Sequence, residues 1–287
     1  MCNYQIITDS TCDFPNEYYK EMDVRVVPLT VTFQGQERED TNDDSLHEMY
    51  DGLRAGETAT TSAVNPQRWA QTMEPALSEG KDVLVLAFSS GLSTTYQSAV
   101  IAAQELQEQY PQRKIYVVDT LAASLGEGLL VWYACKKRRE GMDLDSLYAW
   151  VEENKHHICQ WFTVDDLMYL KRGGRISAAT AVVGTMLQIK PVLHVDGEGH
   201  LVNVAKTRGR KASIDALADK LLKSGAGYDN SFVTISHGDC REDAQYLADV
   251  LKTRCGVQEV FISYVGAVIG SHAGPGTVAL FFMGDQR

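Results

Sequence analysis

Along the whole chain, short apolar runs rich in β-branched residues alternate with stretches of helical period, the pattern produced when parallel strands are joined by crossover helices. Residues 4–8, 24–33, 82–88 and 115–119 predict strands in the first half. Between them Leu46, Met49, Tyr50 and Leu53 fall at i, i+3, i+4 and i+7, one buried helical face. Asn65-Pro66 sets a capping residue before a proline suited to the first helical turn, and Trp69, Met73 and Leu77 mark the inner face that follows. A helix is expected over residues 143–154. Then residues 159–164 read as a strand and Lys171-Arg172-Gly173-Gly174-Arg175 as a basic, glycine-rich break. The change places a domain boundary near residue 158, giving domains 1–157 and 158–287. In the second half, residues 190–195 and 200–205 flank Asp196-Gly197-Glu198-Gly199 as a hairpin, and residues 232–236, 260–264 and 277–283 supply further strands. The expected fold class is α/β, two α/β domains in series, and without a low-complexity linker they should pack closely.

Composition narrows the functional classes. A chain of 287 residues with 44% apolar and 9% aromatic residues can fill a substantial core. A formal net charge of -11 argues against nonspecific attraction to nucleic acid or to an anionic membrane surface, both polyanions. The six cysteines are scattered, without a C-x-x-C pair or a histidine at ligand spacing, so neither a metal site nor a disulfide framework is expected. The N-terminus enters a strand-like run at once, and no stretch approaches ~18 uninterrupted apolar residues. A cytoplasmic protein with reduced thiols and no stable membrane insertion is the expectation.

Candidate chemistry lies at strand ends. The strand at 82–88 stops in Ser89-Ser90-Gly91-Leu92-Ser93-Thr94-Thr95 and a helix begins, so Ser93 should sit near free backbone N–H groups that favour an anion. The plainer reading is that Ser93 or Thr94 caps the helix. Thr60-Thr61-Ser62 and Thr8-Asp9-Ser10-Thr11 each read as a turn, yet three polar strand ends in one domain can converge on one ligand. His272 lies in Gly266–Gly276, a loop of small residues that a ligand can approach closely, or is a structural histidine satisfied by backbone. Lys206-Thr207-Arg208-Gly209-Arg210-Lys211 is the densest positive run, either a solvated loop before a helix near Ala212 or a patch for phosphate or a partner, with Arg172 and Arg175 adding to it. A phosphate-binding G-x-x-x-x-G-K-[ST] loop is missing, and Gly197-Glu198-Gly199 lacks strand-to-helix context, so no nucleotide cofactor is expected. A competing reading makes Ser93 a hydrolase nucleophile with His272 as base and Asp239 as acid, although Thr95 stands where the nucleophile turn needs glycine.

Taken in order, Thr8-Asp9-Ser10-Thr11-Cys12-Asp13, Thr61-Ser62, the run from Phe88 to Ala99, Leu170-Lys171-Arg172-Gly173-Gly174-Arg175-Ile176, Lys190-Pro191 and Gly270-Ser271-His272-Ala273-Gly274-Pro275-Gly276 resemble the DegV family over essentially the whole chain. The resemblance implies two α/β domains around one long-chain fatty acid such as palmitate, stearate or oleate. The tail would lie in an apolar tunnel and the carboxylate near the domain junction. It implies that Thr61 and Ser93 hold the carboxylate, with His272 and Arg172 in the same polar neighbourhood and no catalytic residue of the protein's own. It further implies presentation of the acid to a separate ATP-binding fatty-acid kinase subunit; on the charge pattern alone, Lys206, Arg208 and Arg210 are candidate partner or phosphate contacts. Thr94 stands where related sequences often carry glycine, which would alter the anion site if a left-handed backbone were needed there. Residues 178–193, rich in Ala, Val, Met and Ile, are a candidate tunnel wall, or else an ordinary buried helix and strand.

Overall fold

The computed structural model describes residues 3–42, 45–177 and 188–285. In the first sheet β1 (Tyr4–Asp9), β2 (Val24–Val27), β6 (Asp82–Ala87) and β7 (Ile115–Asp119) lie in the order β2-β1-β6-β7, all parallel. The central strands β1 and β6 are buried on both faces, as parallel strands covered by helices must be, β6 being almost wholly apolar and β1 carrying the buried polar residues Gln5, Thr8 and Asp9. Successive residues point to opposite faces. Leu84 and Leu86 join one core with α5 (Leu125–Arg139) and α6 (Leu144–Asn154), while Val83, Val85 and Ala87 join another with α2 (Leu46–Arg54), α3 (Pro66–Ser78) and α4 (Thr95–Gln109).

The run at 24–33 forms two strands rather than one. Pro28 cannot donate to a ladder, and after it β3 (Thr30–Phe33) turns into a separate antiparallel sheet of order β4-β3-β5, with β4 (Gln36–Glu39) and β5 (Ala59–Ser62). Thr60-Thr61-Ser62 is therefore strand, with Thr61 opposite Val31.

A third sheet has the order β10-β9-β8-β13-β11-β12, built from β8 (Ile158–Thr163), β9 (Ile189–Val195), β10 (Leu201–Arg208), β11 (Phe232–His237), β12 (Glu259–Tyr264) and β13 (Val278–Met283). It departs from the all-parallel pattern: β13 inserts antiparallel between β8 and β11, and only β11 and β12 pair in parallel. Its outer face is covered by α8 (Arg210–Ser224) and α9 (Arg241–Cys255).

Helix α5 is the layer shared by the two larger sheets. A side chain at Gly126 would meet Gln160 Oε1 at 2.6 Å and Phe281 at 2.8 Å on one side, and one at Gly128 would meet the Cys12 carbonyl at 2.8 Å on the other. The helix gives up intrinsic stability at these glycines to let both sheets approach. The short helices α1 (Asn16–Glu21), α7 (Met168–Arg172) and α10 (Ala267–Ala273) complete the described α-helices, and α10 packs against β5 and α7. No described helix is long and apolar enough to cross a membrane.

Candidate functional site

Between the sheets lies a cavity of about 460 Å³. One stretch of its wall is polar, made by Thr61, Ser62, Ser93, Thr94, Arg175 and His272. Beyond it the wall is mostly apolar, with Leu29, Phe88, Phe162, Val195, Val268 and Phe281 among its residues. Arg175 is the single charged side chain on it among the described residues.

Each polar group is held by local structure. Thr61 projects from β5, and its hydroxyl shares a 2.8 Å hydrogen bond with His272 Nε2 from α10. Burial, reinforced by the Arg175 cation, pushes the His272 pKa down to about 4, so the ring is neutral near pH 7. Ser93 precedes α4; its hydroxyl bonds Thr95 Oγ1 at 2.8 Å and accepts from the Thr95 amide at 3.2 Å, while its own amide donates to the Ser89 carbonyl. Ser93 is thus both a helix-start acceptor and part of the cavity wall, which joins the two readings of that segment.

The loop that carries Ser93 is anchored twice. The buried Asp9 carboxyl accepts from the Phe88 amide at 2.9 Å, and Ser89 donates to the Gly199 carbonyl at 2.9 Å. At Gly91 a Cβ would lie 2.7 Å from that same carbonyl, so the tip of the 196–199 turn fits directly against the loop backbone. That turn closes the β9–β10 hairpin expected from its residues.

Several expectations are corrected. Arg172 is exposed, its guanidinium 5.2 Å from the Tyr169 ring centre, and it does not line the cavity. Helix α7 ends at Arg172, and Gly174, at φ +73°, turns the chain so that Arg175 points inward, donating to the Leu92 carbonyl at 2.9 Å and the Gly173 carbonyl at 2.6 Å. Thr94 has φ -81°, so the backbone there does not require glycine. The Thr8–Thr11 cluster does not reach the cavity: Thr8 and Thr11 bond Glu127 and Asp9 in the interior. Of the candidate wall, residues 178–187 lie outside the described residues, and of β9 only Val195 lines the cavity. Lys206 and Arg208 are exposed on β10, an edge strand rather than a loop. Arg210 opens α8 and is bound to Asp243 at 2.8 Å, so it is no free contact.

The hydrolase arrangement is not assembled. Asp239 is engaged by Arg54 at 2.5 Å and by His47 at 3.1 Å, and the His272 ring nitrogen bonds Thr61 rather than Ser93. Cavity residues that sequence reasoning missed are Ser124 and Ser236, which look like any other serine until strand pairing and the start of α5 bring them together.

The family model described as an uncharacterised protein of the DegV family matches residues 3–285. The chain belongs to the DegV family. A DegV domain-containing protein of Clostridium perfringens is 44% identical over 100% of this chain and 99% of its own length. A DegV family protein from Thermus thermophilus, whose structure was determined for fatty acid binding, matches with a TM-score of 0.88 at 34% identity, over 99% of this chain and 100% of that one. The fatty acid kinase B3 protein of Streptococcus pneumoniae, loaded with linoleic acid, has the same fold, with a TM-score of 0.86 at 22% identity over 99% of this chain and 100% of that one.

Proposed function

We propose that this DegV protein binds one long-chain fatty acid, such as palmitate, stearate or oleate, with the tail in the apolar cavity and the carboxylate at Thr61, Ser93, His272 and Arg175. The observation that carries the reading is a half-buried cation, the single one on the wall among the described residues, beside a cluster of hydroxyls in an otherwise mostly apolar cavity. Burying a ~16-carbon tail at roughly 0.8 kcal/mol per methylene yields a gross gain of about 12 kcal/mol, before the cost of immobilising the ligand. Affinity comes from the tail, and the polar stretch fixes where the carboxylate sits.

The protein acts as a binding subunit in the cytoplasm and brings no nucleotide of its own. A separate ATP-binding kinase subunit phosphorylates the presented carboxylate and docks near the polar stretch, with Lys206 and Arg208 as exposed contacts. The division at residues 157 and 158 separates a domain bearing Thr61 and Ser93 from one bearing Arg175 and His272, so the head group is held across the junction.

Mass spectrometry of the purified protein under native and then denaturing conditions tests this. About one equivalent of a releasable fatty acid is expected. A protein that is empty and fails to take up added stearate refutes the assignment.

A further inference from the structure

The cavity wall also carries polar side chains outside the head-group cluster, Ser236 among them. Ser236 on β11 pairs with Ala279 on β13, which pairs with Phe162 on β8, and all three line the cavity as one row across the third sheet. Ser236 is fully buried, and its hydroxyl meets Ser124 Oγ at 2.9 Å, its one side-chain hydrogen bond among the described residues. Ser124 Oγ in turn bonds Asp13 Oδ2.

A hydroxyl offers one donor and two acceptor positions, so this contact leaves capacity on Ser236 open toward the cavity. The other buried polar side chains of that wall, Gln160 and Thr277, are each tied to backbone groups. Gln160 accepts from the Ala123 amide and donates to the Leu121 carbonyl, and Thr277 donates to the Ala273 and Gly274 carbonyls.

Ser124 is held for this contact at a cost. It stands at the start of α5 with φ 55° and ψ -147°, a backbone region that serine seldom adopts, and its side chain does not cap its own helix. Asp13 is buried, its pKa is raised well above the ordinary carboxyl range by burial and by Asp40, and its Oδ1 has no side-chain partner among the described residues. A neutral Asp13 can give a proton to Ser124 or accept one from it. The line Asp13–Ser124–Ser236 can therefore present either a donor or an acceptor to the cavity.

We propose that Ser236, backed by Ser124 and Asp13, is a second polar subsite that receives a hydroxyl or keto oxygen carried on the acyl chain, so that the ligands of this protein include oxygenated long-chain acids. The proposal rests on the fatty-acid reading above. In a purely apolar cavity a chain hydroxyl is rejected, because it leaves water without a replacement bond. Here the chain position beside Ser236 meets a partner that positions along the apolar stretches of the wall lack.

The test is a competition measurement with stearic acid and a panel of hydroxystearic acids that differ only in hydroxyl position. One isomer is expected to bind the wild-type protein about tenfold better than the other isomers and at least as well as stearate, and Ser236→Ala should remove that advantage while leaving stearate affinity within about twofold. If every isomer binds the wild-type protein more weakly than stearate and none stands apart, the subsite is refuted while the fatty-acid reading survives. If stearate itself does not bind, both fall together.

Discussion

Thr61 and His272, 211 positions apart in sequence, share a 2.8 Å hydrogen bond on the polar stretch of the cavity wall. The bond ties the three-stranded sheet to the short helix α10 and orients a neutral imidazole toward the site. Thr61→Val keeps the shape and removes the hydroxyl. Stearate affinity should fall several-fold, in line with the ~0.5–1.5 kcal/mol of one hydrogen bond, with the melting temperature nearly unchanged; isothermal titration and a thermal melt measure the two.

The two arginines near Gly173 should behave oppositely. Arg175→Ala removes the only charge on the described cavity wall and should weaken fatty-acid binding about ten- to hundredfold, corresponding to ~1.5–3 kcal/mol for a charged hydrogen bond. Arg172→Ala removes an exposed stacking contact with Tyr169 and should leave binding within about twofold. Equal losses from both changes would contradict the placement.

Gly173 tests the packing behind the imidazole. A Cβ there would stand 2.2 Å from His272 Nδ1, so Gly173→Ala must displace the ring. We expect a larger loss of affinity than for Thr61→Val. A crystal structure of the variant should show His272 moved away from Thr61.

Asp40 supplies a pH signature. It is buried, accepts from Ser10 Oγ at 2.8 Å and from the Val268 amide at 3.2 Å, and burial raises its pKa to about 6 from an unfolded value of ~3.9. The folded state therefore holds this proton more tightly than the unfolded one. Its contribution is fully present below pH ~3.9 and is lost as pH rises through about 6. The stability of the wild type relative to Asp40→Asn should decline over that window and level off above it, as urea melts at a series of pH values will record.

Much of the fold was legible because apolar runs and capped helices impose their own periods. β1, β6 and α3 lie within a residue or two of where the pattern puts them, and Asn65 does accept from the Arg68 amide at 2.9 Å. Helix α5 was harder to see, since its first turns lie buried between two sheets without an apolar-polar alternation and carry glycines where the helix is crowded most. In the candidate site, Thr61, Ser93 and His272 could be grouped, but Arg172 and Arg175 could not be told apart. Three positions separate them, and the direction of each side chain depends on the turn at Gly174. Ser124 and Ser236 carry no local signal, because their meeting is made by tertiary structure alone.

The cavity draws its walls from β5, the loop before α4, the start of α5 and five strands of the third sheet. A bound acyl chain would therefore act as a keystone touching both halves at once, and its binding energy would add to the folding stability of the whole chain by mass action. The loaded protein should outlast the empty one against heat and protease, so the lifetime of the chain itself becomes a gauge of the free fatty acid around it.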